Sequence, residues 1–118
     1  MGGVSQHLRK ASHNKNFLER VQTIDPGPSF LYPDWLITIA FYIALHFVDA
    51  KLARRNIHPQ NHQKRIQYVS QFMPSDVAND YFYLYNKSKV ARYFPDSEKR
   101  ISPSTVNRCI NLALTRFR

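Results

Sequence analysis

One cysteine, three glycines and eight acidic residues are all that this chain of 118 residues has of those types, and each scarcity closes a class of explanation. Cys109 alone cannot close an intramolecular disulfide or supply a sulfur-based zinc site, so nothing calls for an oxidising compartment and the expected location is cytoplasmic. With Gly2, Gly3 and Gly27 the only glycines, no Walker or dinucleotide loop exists, and phosphate recognition falls to Arg, Lys and helix amino termini. Long apolar runs are missing too. The densest, Trp35 to Val48, is bounded by Asp34 and Asp49 and is too short for a hydrocarbon core of roughly 30 Å. The amino terminus lacks a signal-peptide hydrophobic region, so a soluble chain without membrane contact is expected, with no metal and no cofactor.

What the chain has in excess is positive charge, 17 Lys and Arg against 8 acids, for a net +9 and an isoelectric point near 10.0. Such a bias favours anionic partners such as nucleic acid, although an acidic protein partner or simple solubility draws on the same excess. The cations cluster at Lys51, Arg54, Arg55, Lys64 and Arg65, at Lys87, Lys89 and Arg92, and at Arg108, Arg116 and Arg118. Candidate nucleic-acid contacts are Arg54, Arg55, Lys64, Arg65, Lys87 and Arg92.

Proline and glycine fall between periodic segments, which predicts an all-α chain of about five helices in a single domain, 1–118. Met1 to Val4 are expected to be disordered, with Gly2 and Gly3 a possible cloning remnant. A mostly polar first helix spans Ser5 to Ile24, anchored by Leu8, Phe17, Leu18 and Val21. The central helix follows Pro33, with Asp34 as its expected cap, and carries two apolar stripes: Leu36, Ala40, Ile43 and Phe47, then Ile37, Phe41, Ala44 and Val48. Two such stripes demand several packing neighbours. A third helix runs from Asn61 to Phe72, with Ile66, Val69 and Phe72 as its apolar positions. A fourth, Ser75 to Phe94, is capped by Ser75, carries the stripe Val77, Tyr81, Leu84, Ser88 and Ala91, and is expected to be the longest after the central one. A fifth starts with Ser102 as cap and Pro103 at its first position, and carries Val106, Cys109, Ile110, Ala113 and Phe117.

Three groups of residues bear on chemistry. A third stripe of the central helix sets Tyr42, His46 and Asp49 in a row, readable as a proton relay but more economically as a buried network, with Asp49 pairing to Arg92 or another cation. Tyr81, Phe82, Tyr83, Tyr85 and Tyr93 beside Lys87, Lys89 and Arg92 form either a base-stacking platform or core and dimer contacts, with Tyr83 expected to point away from the main stripe. His58 and His62 have the spacing of a helical metal pair, yet Pro59 between them prevents a regular turn and no third ligand is evident.

The central helix with Phe41-Tyr42-Ile43-Ala44, the turn Asn56-Ile57-His58-Pro59-Gln60-Asn61-His62 and the step Ala91-Arg92-Tyr93 together resemble the HEPN family, the nucleotide-binding domain of higher eukaryotes and prokaryotes. The resemblance covers Pro33 to Phe117 and implies an up-and-down bundle of four to five helices that pairs into a homodimer. It also implies one of two activities. Many members are metal-independent ribonucleases with an R-x(4–6)-H motif at the start of a late helix, and others bind RNA or nucleotides beside a nucleotidyltransferase, some in toxin-antitoxin systems. Here Pro103 to Arg118 contains Arg108 and Arg116 but no histidine, a departure from the ribonuclease pattern. One other pair fits the spacing. Arg55 and His62, separated by six residues, combine a near-neutral base with a fixed cation suited to a phosphorane; alternatively His62 caps the third helix and Arg55 is solvated. The expectation is therefore a non-catalytic RNA- or nucleotide-binding helical dimer working through Arg54, Arg55, Lys64 and Arg65. The alternatives are a ribonuclease using Arg55 and His62, and a protein-interaction module that never meets nucleic acid.

Overall fold

The computed structural model describes residues 3–117, so the expected disorder of Met1 and Gly2 and the position of Arg118 lie outside the described residues. It is an all-α bundle: α1 (Val4–Ile24), α2 (Pro33–Ala53), α3 (His62–Phe72), α4 (Ser75–Tyr93) and α5 (Pro103–Thr115), with a short 3₁₀ turn at Ser97–Lys99. Helix α2 is the hub, packed against α1, α3, α4 and α5. Both of its apolar stripes are buried, apart from a partly covered Phe47, and they meet Leu18 of α1, Val69 of α3, Tyr81 and Leu84 of α4, and Val106 and Cys109 of α5 in one core. By length and composition α2 could cross a membrane, because the helix runs past both bounding aspartates, but 67% of its apolar window is covered by the other helices.

Local chemistry fixes the ends of the hub. Asp25, not Asp34, organises its entry: the buried Asp25 carboxylate accepts the Leu31 and Tyr32 amides, both at 2.8 Å, just ahead of Pro33. Asp34 lies inside the first turn and makes no side-chain cap, so its contribution is charge at the positive end of the helix. At the other end Asn56 adopts the left-handed conformation (φ 59°), the Asn56 amide reaches the Ala53 carbonyl and the Ile57 amide reaches that of Leu52. That paired closure releases the chain into the turn toward α3.

Other expectations need correction. Val4, expected to be disordered, opens α1, and the Gly3 amide ahead of it donates to Gln6 Oε1 at 2.8 Å. Leu8 and Phe17 are exposed, and the buried positions of α1 are Ala11 and Leu18, because they share a helical face with His7 and Val21. At 21 residues α1 equals α2, so α4 with 19 is not the second longest. Asn61 rather than His62 caps α3, accepting the Lys64 amide at 2.8 Å, and Ser75 is the first residue of α4 after an uncapped Pro74. Ser102 caps α5 as expected, ahead of Pro103.

Candidate functional site

The polar stripe of α2 does not act as a row. Each of its members faces a different helix: Tyr42 meets Arg92 on α4, His46 meets His7 on α1, and Asp49 meets Arg65 on α3. A relay from carboxylate through imidazole to phenol is thereby replaced by three separate ties.

The strongest tie is Asp49 with Arg65. Arg65 Nε donates to Oδ1 at 2.7 Å and Nη2 to Oδ2 at 3.1 Å, a bidentate pair between side chains that are only 7% and 10% exposed. The carboxylate holds the guanidinium in its charged form against the opposing effect of burial. The third arm of Arg65, Nη1, donates to His62 Nδ1 at 3.2 Å. A guanidinium can only donate, so His62 Nδ1 is the acceptor and its neutral ring carries the proton on Nε2. Burial first, then Arg65 and Arg92, lower the His62 pKa, with Asp49 pulling weakly the other way. The Tyr81 hydroxyl is buried close to the same pair and has no hydrogen-bond partner among the described residues; burial pushes its pKa well up.

Around His62 the structure assembles a half-open aromatic frame. The His62 ring lies 5.5 Å from that of Tyr85 and 5.9 Å from that of Phe41. The Arg92 guanidinium sits 4.9 Å from the Tyr93 ring, 5.2 Å from Phe41 and 5.8 Å from Tyr42. Its hydrogen bonds are long and all to neutral groups: the Ser88 carbonyl and hydroxyl at 3.3 Å, Tyr93 at 3.3 Å and Tyr42 at 3.4 Å. Lys89 lies 5.3 Å above Tyr85. Two cations, a neutral imidazole that offers an N–H, and the Tyr42, Tyr85 and Tyr93 rings therefore share one partly buried surface, with no carboxylate among the described residues bonded to Arg92. Such a group can seat an anionic oxygen against Arg92 and a planar ring against Tyr85 or Tyr93.

The candidates from the sequence fall in three places. Arg92 belongs to this frame. Lys87 lies on the other flank of α4, where it and Arg108 of α5 stand over the partly buried Tyr83 ring at 5.5 and 4.1 Å. Arg54 and Arg55 are exposed at the end of α2, with Arg55 over the Phe72 ring at 4.9 Å. Phe72 and His62 mark opposite ends of the 11-residue α3, roughly 15 Å apart along its axis, so Arg55 and His62 are not brought together. Lys64 is exposed, whereas Arg65, read from sequence as a surface cation, is buried and neutralised by Asp49. Tyr81, read as part of a base-stacking platform or as core, is fully buried, whereas Arg108 and Ser88 went unread as site residues, the signal for Ser88 being its place on the apolar stripe of α4. Cys109 lies on the buried face of α5, where burial pushes its thiol up to about 12 and disfavours the reactive thiolate.

Comparison with protein-family models, with curated proteins and with solved structures finds no match to this chain.

Proposed function

We propose that this chain is a non-catalytic, HEPN-like helical module that binds RNA or a nucleotide-bearing partner through the surface around Arg92, Lys89, His62, Tyr85 and Tyr93. The observation that carries this reading is Arg92, a partly buried cation held among rings by weak bonds to neutral groups only. A guanidinium in that state gains most from an incoming phosphate, and the neighbouring tyrosines supply the stacking planes that single-stranded bases use. This moves the expected surface from Arg65 to Arg92.

Binding is favoured over cleavage by the tautomer of His62. A general base needs a free lone pair, whereas Nδ1 is occupied by Arg65 and Nε2 holds the proton. The ribonuclease alternative with Arg55 and His62 also lacks proximity. The same reading has two copies pairing into a homodimer, a role for which Phe17 and Trp35, exposed on one cavity of about 380 Å³, offer an apolar surface.

The test is binding of a labelled single-stranded RNA pool in EDTA across a salt series, comparing the wild type with Arg92→Ala and His62→Ala. Expected are uncleaved RNA, affinity that falls steeply with salt, and a loss of about tenfold or more in Arg92→Ala. Cleavage abolished by His62→Ala, or RNA binding indifferent to Arg92, would overturn the proposal.

A further inference from the structure

A second surface lies at the far end of α3 from the Arg92 frame, where the last turns of α2, α3 and α5 meet the start of α4. It is a groove of about 490 Å³ with an apolar floor of Phe47, Phe72, Met73, Pro74 and Val77. Cations form its rim. The Lys51 ammonium stands 5.3 Å above the Phe47 ring, the Arg55 guanidinium 4.9 Å above Phe72, and Arg54 beside them is exposed. Arg116 closes the opposite side, but its charge is answered by Asp80 at 2.8 Å and Asp76 at 3.2 Å. Lys51, Arg54 and Arg55 have no carboxylate partner among the described residues.

We propose that this groove docks an acidic, amphipathic peptide segment of a partner protein, one that sets a large aliphatic side chain on the Met73 and Val77 floor and carboxylates on Lys51, Arg54 and Arg55. Charge complementarity names the sign of the partner, since a surface with three unanswered cations around an apolar floor gains from carboxylates and repels another basic face. The floor names its chemistry. Nucleic-acid bases stack on ring faces, yet three of the five floor residues, Met73, Pro74 and Val77, offer no such ring, and they make the centre of the floor aliphatic. An aliphatic anchor between carboxylates fits both parts, in the manner of an amphipathic helix laid in a groove. The site is independent of the RNA surface proposed above, because it uses none of the same side chains.

The experiment is fluorescence anisotropy of the full chain with a labelled peptide of about twelve residues, mostly Glu and Asp, carrying two leucines one helical turn apart. A matched peptide with both leucines replaced by serine and a single-stranded RNA of equal charge serve as comparisons. Expected is saturable binding of the leucine peptide, weakened about tenfold or more by either the serine replacements or the double variant Arg54→Glu with Arg55→Glu, both exposed positions, and unchanged by Arg20→Glu on α1. The variant Val77→Asp, monitored for helix content, should lose the leucine peptide by a similar factor. Equal affinity for the leucine and serine peptides would overturn the proposal by reducing the groove to a charge patch. Failure of the leucine peptide to bind, or loss of RNA rather than peptide in the Arg54 and Arg55 variant, would overturn it in favour of a nucleic-acid surface.

Discussion

The two ends of α3 treat arginine in opposite ways. At the amino-terminal end Arg65 is taken inside, gripped by both oxygens of Asp49 and shared with His62. Near the carboxy-terminal end Arg55 stays outside, its guanidinium laid on the Phe72 ring with no carboxylate partner among the described residues. A chain with about twice as many cations as acids cannot pair them all, and only at Asp49 is an acid set against a cation whose burial would make an unpaired charge intolerable, while Arg116 is paired at the surface. Asp25 clasps a loop, Asp49 neutralises Arg65, and Asp76 and Asp80 hold Arg116. Cations left outside rest an apolar face on an aromatic ring and keep the rest in water, a mode that costs little and leaves the charge available.

That contrast breaks first at Asp49. Asp49→Ala strands a buried guanidinium and should lower unfolding free energy by about 3–5 kcal/mol, whereas Arg55→Ala should cost less than about 1 kcal/mol. Chemical denaturation of the two variants reads the difference directly. The double change Asp49→Leu with Arg65→Met should recover most of the loss, because a buried ion pair contributes little net stability over an apolar pair of similar volume. Equal losses in Asp49→Ala and Arg55→Ala would remove the distinction between the two ends.

How far the sequence foretold this depends on which signal each residue carries. The hub was legible because its apolar positions repeat at helical spacing on nearly every side, a pattern that only a surrounded helix can satisfy. The fifth helix was legible from Ser102 and Pro103, whose cap chemistry is local. Arg65 was misread because its neighbours Lys64 and Gln67 are exposed and its own type is usually solvated. Its position three and four residues from His62 and Val69 placed it on the inward stripe, a spacing that outranks residue type when a carboxylate such as Asp49 waits on the facing helix. The site itself was legible only in pieces. Arg92 and Tyr85 were flagged by composition, but pairing Arg55 with His62 relied on separation along the chain, and the turn between α2 and α3 sends those two side chains to opposite ends of a helix.

The buried end should also carry most of the response to acid. His62 and His46 both have lowered pKa values, chiefly from burial, with Arg65 and Arg92 adding to the first and His7 to the second. A histidine held below its ordinary 6.5 binds fewer protons folded than unfolded, so its stabilisation is complete above that value and declines as pH falls below it. His46 adds a steric reason, since its Nδ1 shares one proton with His7 Nδ1 at 3.0 Å and full protonation of both rings would set two N–H groups against each other. Melting temperatures at pH 7.5 and about 5.5 should therefore fall for the wild type, and fall less for His46→Phe with His62→Phe. A drop of the same size in the double variant would assign acid sensitivity to other groups, and the buried end would lose its distinction in this respect.

The smallest effect is expected at Tyr81, which tests whether the hydroxyl beside Arg65 belongs to the buried ion pair or merely lies against it. Its ring fills the core between α2 and α4, 5.9 Å from Phe41, while its oxygen is buried and unpartnered. Removing a buried polar atom that makes no bond loses no interaction and spares a desolvation cost, so Tyr81→Phe should change stability by less than about 1 kcal/mol. The phenylalanine ring keeps the packing, so any larger loss in denaturant unfolding would mean that the hydroxyl supports Arg65. Asp49, His62 and Tyr81 would then act as one unit around that guanidinium, and a double-mutant cycle between Tyr81→Phe and Asp49→Ala would return coupling instead of additivity.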